Sequence, residues 1–107
     1  MVEDNNKILD FLEENHFPEA DVSALRGFQS RDGFQVIKDE DLSGMLHFFS
    51  QYPVDYEGII PFMTDDNSNY LCVYFEGKDR GKVCYLSHDE YDLTPRFSSI
   101  KKLIGIV

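Results

Sequence analysis

An α+β fold is predicted by three features of the chain. Apolar residues recur at helical spacing before residue 51 and again after residue 97, and three short strand-like runs lie between 58 and 86. The last two runs are separated by Glu76-Gly77-Lys78-Asp79-Arg80-Gly81, whose glycines permit the positive φ of a tight antiparallel reversal. A length of 107 residues fits one domain, 1–107, with no room for a second core.

The elements follow in chain order. Ile8, Leu9, Phe11 and Leu12 predict a helix over 5–15 that Asp4 or Asn5 can cap and Pro18 ends. Val22, Leu25 and Phe28, three residues apart, predict a short or irregular helix within 19–31, closed by Gly27 or Gly33. Phe34 and Val36 alternate with Gln35, as in a short strand over 34–38. Asp39, Glu40 and Asp41 then open a third helix whose Leu42, Met45, Leu46 and Phe49 share one face, and acids in a first turn favour it through the helix dipole. That helix must stop before Pro53. Of the three strands, 58–63 carries Pro61, which cannot donate a ladder hydrogen bond and so belongs at an edge or at an end of the pairing. Strands 70–75 and 82–86 form the hairpin, and 97–104 closes the chain as a helix stopped by Gly105.

Alternation along the hairpin sends Leu71, Val73 and Phe75 to one sheet face and Tyr70, Cys72 and Tyr74 to the other. With a symmetric loop, Val83 and Tyr85 join the first face, and Cys84 and Leu86 the second. Neither face is polar. Two readings of the second face stay open: a Tyr-rich surface free for a partner or a second copy, or a surface shielded by the N-terminal helix and loops.

Composition narrows the function classes. The chain is 42% hydrophobic and 14% aromatic, enough apolar surface to offset the entropy of ordering that keeps polar chains disordered. Its 20 acidic and 10 basic residues give a net charge of −10, which disfavours nucleic acid and anionic membranes as partners. The charge is polarised: residues 1–66 hold 15 acids against four bases, and residues 67–107 hold five against six. The first residues lack the basic and apolar segments of a secretory signal, and a cytoplasmic location is expected. Cys72 and Cys84, twelve apart, match neither a zinc knuckle nor a disulfide scaffold and read as free, half-buried thiols.

Each chemical constellation has a structural explanation. Ser87-His88-Asp89 contains the residue types of a hydrolase triad, but a triad converges in space and neighbours in extended chain point apart. His16 and His47 read as capping or packing residues. Asp65, Asn67, Asn69 and Glu76 match positions 1, 3, 5 and 12 of a calcium loop, yet Tyr70 occupies the position that needs glycine, and 71–75 reads as strand. Local backbone hydrogen bonds explain Asp and Asn at such a turn. No enzyme activity, cofactor or metal is expected.

The residues Gly58-Ile59-Ile60-Pro61-Phe62-Met63-Thr64-Asp65-Asp66, then Asn69-Tyr70-Leu71-Cys72-Val73-Tyr74, Gly81-Lys82-Val83 and Ser87-His88-Asp89-Glu90 resemble the SUKH superfamily. Its pattern is a proline-containing strand, an Asp/Asn turn, a strand of the Leu-Cys-Leu kind, a hairpin, and a strand leading into a His-Asp turn. The superfamily includes the fungal cell-wall-synthesis regulator domain and many bacterial relatives. The resemblance implies an α+β domain with a central, mainly antiparallel sheet flanked by helices, used for protein binding and not for catalysis. It also implies the role of bacterial immunity proteins, which neutralise polymorphic toxins, nucleases among them, inside the producing cell. On this reading a basic toxin domain is the partner, and Glu40, Asp41, Asp55, Asp65 and Asp66, with Tyr70 and Tyr74 as anchors, are the expected partner-binding residues. The alternative is a regulatory scaffold or self-associating domain that pairs copies through the Tyr-rich face.

Overall fold

Helix α1 (Asn6–Glu14) buries Ile8, Leu9 and Leu12 along one stripe; here and throughout, the computed structural model describes residues 6–31, 33–65 and 67–106. The helix ends before Pro18 is reached. His16 takes a left-handed φ of 61°, Phe17 N–H bonds the Leu12 carbonyl at 3.0 Å and His16 N–H that of Glu13 at 3.1 Å, a Schellman termination with histidine where glycine is usual. Pro18 instead precedes the first residue of α2 (Glu19–Arg26), which is a regular helix closed by Gly27. Buried Asp21 is the unexpected member of its inner face. Its Oδ1 accepts the Lys101 N–H at 3.1 Å, and Ser99 Oγ accepts that of Lys102 at 3.1 Å, so two side chains cap α4 (Ile100–Ile106).

Strand β1 (Gln35–Val36) is shorter than the 34–38 run predicted, and α3 (Asp39–Ser50) follows. Then β2 (Ile59–Thr64), β3 (Tyr70–Tyr74), β4 (Val83–Leu86) and β5 (Pro95–Phe97) complete an antiparallel sheet in the order β1-β2-β3-β4-β5. The α+β class, the antiparallel sheet and its flanking helices are as predicted. The fifth strand is not. Phe97, read as the start of a helix, pairs with Val83; the closing helix begins later, at Ile100, and runs past Gly105.

Pro61 illustrates how a proline enters an interior strand. The Gly58 carbonyl accepts the Phe75 N–H, and alternation from there turns the Pro61 nitrogen away from β3. On that outer side β1 has already ended, its last contact being Ile37 N–H to the Phe62 carbonyl at 3.0 Å. No ladder donor is required at residue 61, and the ladder resumes after an irregularity between Pro61 and Met63.

The hairpin register pairs Leu71 with Tyr85, Cys72 with Cys84 and Val73 with Val83, which fixes the two faces as alternation requires. Leu71, Val73 and Val83 join the large core under α1, α2 and α4, around Phe62, Ile8, Leu12, Leu25 and Ile100. The opposite face has its own smaller cluster: Cys72, Cys84, Leu86 and Ile59 beneath Phe49, with Met45, Tyr56 and Leu93 packed against them. It is therefore shielded, but by α3 and the segments 51–58 and 87–94 rather than by the N-terminal helix. Both cysteines are free and wholly buried, not half-buried. Burial, and then the adjacent Cys84, hold the Cys72 thiol well above its ordinary pKa.

Candidate functional site

The carboxylates singled out by the sequence fall into distinct settings. In the first turn of α3, the Asp39 carboxylate accepts the Lys7 N–H at 2.9 Å and so serves α1, whereas Glu40 and Asp41 are exposed and form no ion pair among the described residues. Asp55 lies exposed on the 51–58 segment, where its backbone carbonyl accepts the Tyr91 hydroxyl. Asp66 lies outside the described residues.

Asp65 is engaged in the fold itself. Its Oδ1 accepts the backbone N–H groups of Asn67 at 2.8 Å and Asn69 at 3.1 Å, and its Oδ2 accepts Asn69 Nδ2 at 3.1 Å. This is the local turn bonding that an Asp-x-Asn-x-Asn sequence favours, and Ser68 completes it with a φ of 63°. Burial raises the Asp65 pKa, but the Asn67 and Asn69 hydrogen bonds and the His88 charge outweigh it, so the carboxyl sits below the usual aspartate value. Buried Asn69 extends the network across the sheet end, its Oδ1 accepting the His88 N–H at 3.0 Å. The Asp turn and the His-Asp turn, 23 positions apart in sequence, are thereby joined.

His88 departs from the expectation that neighbouring side chains point apart, because its Nε2 lies 3.1 Å from Asp89 Oδ1. Its Nδ1 lies 3.0 Å from Asn69 Oδ1, and the Ser87 hydroxyl accepts the Asp89 N–H at 3.1 Å. Both ring nitrogens thus face oxygens other than Ser87 Oγ, a turn arrangement and not a nucleophile with its base. Among the described residues no three His, Cys, Asp or Glu side chains are grouped to hold a metal ion. No helix among them is long and apolar enough to cross a membrane.

The two tyrosines are only half exposed. Tyr70 packs against both cores, and burial, then the charges of Asp41 and Asp65, raise its phenol pKa. The Tyr74 hydroxyl donates to the Leu93 carbonyl at 2.8 Å, which ties down the segment leading to β5. The charges of Asp41, in the first turn of α3, and of Asp65, in the β2–β3 turn, thus both reach Tyr70, and Glu40 precedes Asp41 in that helix turn. Asp55 sits with Tyr56 and Tyr91, and Tyr74 stands about 13 Å along β3 from Tyr70.

Rings that the sequence reading did not select form the larger exposed feature. Phe49 stacks on Tyr56 with centroids 4.6 Å apart, Phe48 contacts Tyr52 at 5.3 Å and Tyr56 at 5.5 Å, and Tyr91 meets Tyr56 edge-on at 5.7 Å. Phe48, Tyr52 and Tyr91 are 39%, 47% and 58% exposed. The available signal was Phe48 itself, an aromatic off the Leu42-Met45-Phe49 stripe. Beside these rings, Met45, Phe48, Tyr56, Tyr70, Leu86 and His88 line a cleft of about 350 Å³.

Residues 3–105 match the sequence model of the SMI1 / KNR4 family (SUKH-1), well beyond the motifs that lie between Gly58 and Glu90. No curated protein sequence and no solved structure matches the chain. With almost the whole chain matched and the proline strand, Asp turn, hairpin and His-Asp turn all in place, the chain belongs to the SMI1 / KNR4 family (SUKH-1).

Proposed function

We propose that this chain is a non-catalytic, cytoplasmic immunity protein that binds and neutralises a basic toxin domain, a nuclease being the type that its charge suits best. The observation that carries the reading is the charge asymmetry of a SUKH-1 member, with 15 acids against four bases in residues 1–66. Glu40, Asp41 and Asp55 are exposed within that half, free to contribute to its outward field. A nucleic-acid-cleaving toxin presents a basic channel, and an acidic surface of this strength both steers association and covers that channel.

The test is capture followed by rescue. Tagged protein is exposed to lysate of its own organism at low and moderate salt, and a bound chain is then expressed alone and together with this protein. A basic chain that arrests growth alone and is silenced by co-expression supports the reading. A captured chain without toxicity, or one whose toxicity persists, refutes it. The scaffold alternative draws on the exposed Phe48, Tyr52 and Tyr91, which resemble a self-association patch, and it predicts recovery of this chain or of signalling proteins.

A further inference from the structure

The exposed rings and the cleft beside them form one continuous surface, because Phe48 and Tyr56 belong to both. Tyr56 is fixed from below by Phe49 and from the side by Tyr91, whose hydroxyl is held by the Asp55 carbonyl. The surface is accordingly a set of rigid aromatic anchors, not a loose collar of side chains.

Its charge specifies the occupant. The surface is built from α3, 51–58, the β2–β3 turn and 87–93, and the whole run 39–77 contains eight acids and no Lys or Arg. Residues 87–95 add Asp89, Glu90 and Asp92, again without Lys or Arg. Arg96 reaches Asp92 at 3.3 Å, but no ion pair among the described residues involves Asp41, Asp55, Glu57, Asp65 or Glu90. A second copy would bring the same negative field against itself in a two-fold contact.

Resting on the immunity reading and extending it, we propose that this aromatic face docks a basic protein partner and that the cleft between Phe48, Tyr56 and Tyr70 receives one of its arginine side chains. The ring faces suit a planar guanidinium, which stacks on aromatic surfaces and is less strongly hydrated than an ammonium. Asp41 and Asp65 stand outside the cleft lining but close enough for their charges to reach Tyr70, so negative charge lies near the cleft. Neither Lys nor an apolar side chain would use both features as fully.

Nona-arginine and nona-lysine peptides distinguish this surface from diffuse attraction. Each is titrated calorimetrically into the full chain at about 0.15 M salt, where exposed charges beyond about 8 Å are screened. Nona-arginine is expected to bind at least about fivefold more tightly than nona-lysine. The double variant Phe48→Ser/Tyr91→Ser, which changes no charge, is expected to lose roughly tenfold in nona-arginine affinity. Asp10→Asn/Glu14→Gln, which removes two charges from α1 on the other side of the sheet, is expected to lose less than about threefold. Equal affinity for the two peptides, an equal loss in both double variants, or no binding would overturn the proposal. Amide chemical-shift mapping on the unaltered chain gives a second reading: shifts centred on 45–56 and 87–91 support it, and shifts spread over α1 and α2 refute it. Dimerisation abolished by the ring substitutions would assign the face to a second copy instead. The ring variants also separate this proposal from the broader one. Toxin rescue that survives them sinks the docking surface alone, whereas absence of rescue by the unaltered chain sinks the immunity reading.

Discussion

Replacing Asp65 by Asn asks whether this acid serves the fold or awaits a partner. Asn retains an oxygen for the amides of Asn67 and Asn69, which Asp65 Oδ1 now accepts at 2.8 and 3.1 Å, but turns an NH2 group toward Asn69 Nδ2, where Oδ2 now accepts at 3.1 Å. Charge-assisted hydrogen bonds contribute about 1.5–3 kcal/mol, and the half-exposed position of Asp65 places this substitution near the lower end, about 1.5–2 kcal/mol. For a domain of this size about 4 °C is lost per kcal/mol, so the melting temperature is expected to fall by about 6–8 °C. The pH dependence has a fixed sign. The folded carboxyl pKa lies below the unfolded value of about 3.9, so the stabilisation is complete above that value and is lost as the pH falls through the folded one. Thermal melts of both proteins, followed by circular dichroism from neutral to strongly acidic pH, should show a constant gap down to about pH 4 that closes below it. Coincident melts at neutral pH, or a gap that persists unchanged at the lowest pH, would refute the assignment of this carboxylate to the turn.

Three further perturbations examine other joints of the structure. Asp21→Ala removes the buried acceptor of the Lys101 N–H and is expected to cost about 1–2 kcal/mol in urea denaturation, with Asp21→Asn retaining most of the stability. Gly58→Ala would force a side chain into φ +77° and put its Cβ 3.2 Å from Glu76 Cγ; a loss of about 1–2 kcal/mol is expected, and a neutral result would contradict the turn geometry. Cys72 and Cys84 are both wholly buried, so native protein should react with a thiol reagent only at the rate of opening, and two thiols should appear on denaturation.

Periodicity made α1, α3 and the β3–β4 hairpin legible because each has apolar residues at a single spacing over enough length. The faces of Leu71, Cys72 and Val73 followed from alternation, and those of Val83, Cys84, Tyr85 and Leu86 from alternation with a symmetric loop, which the observed register satisfies. β5 was not legible: Pro95-Arg96-Phe97 offers three residues, and Phe97 fits a helical spacing with Ile100 and Leu103 equally well. Asp21 was hidden for a different reason. Its burial depends on the amide of Lys101, 80 residues away, and no local pattern encodes such a contact. At the site, the carboxylates were visible as charge and Asp65 as a turn former, but which acids remain outward-facing depends on partners such as Lys7 and Asn69. Leu46 shows the limit of the helical stripe, since it shares the predicted face yet is 42% exposed.

The aromatic face has a physical origin in the length of the chain. Both sheet faces are apolar, and α1, α2 and α4 cover the first, leaving α3 to bridge the two cores with Leu42 in the larger and Met45 and Phe49 in the smaller. The remaining cover must come from short segments, and large rings supply it most compactly, each burying about 150–250 Å². Phe49 and Tyr56 fulfil this by stacking over Ile59, Cys72 and Cys84. Successive helical positions point about 100° apart, so Phe48 must turn outward when Phe49 turns inward. Tyr52 and Tyr91 then lean on rings that are already fixed. A partner landing there meets side chains whose rotamer freedom was lost on folding, which lowers the entropic cost of binding. The shortage of helix that leaves one sheet face thinly covered therefore also produces a pre-ordered aromatic surface, with Phe48, Tyr52 and Tyr56 from the acidic residues 1–66 and Tyr91 joining them from the C-terminal part.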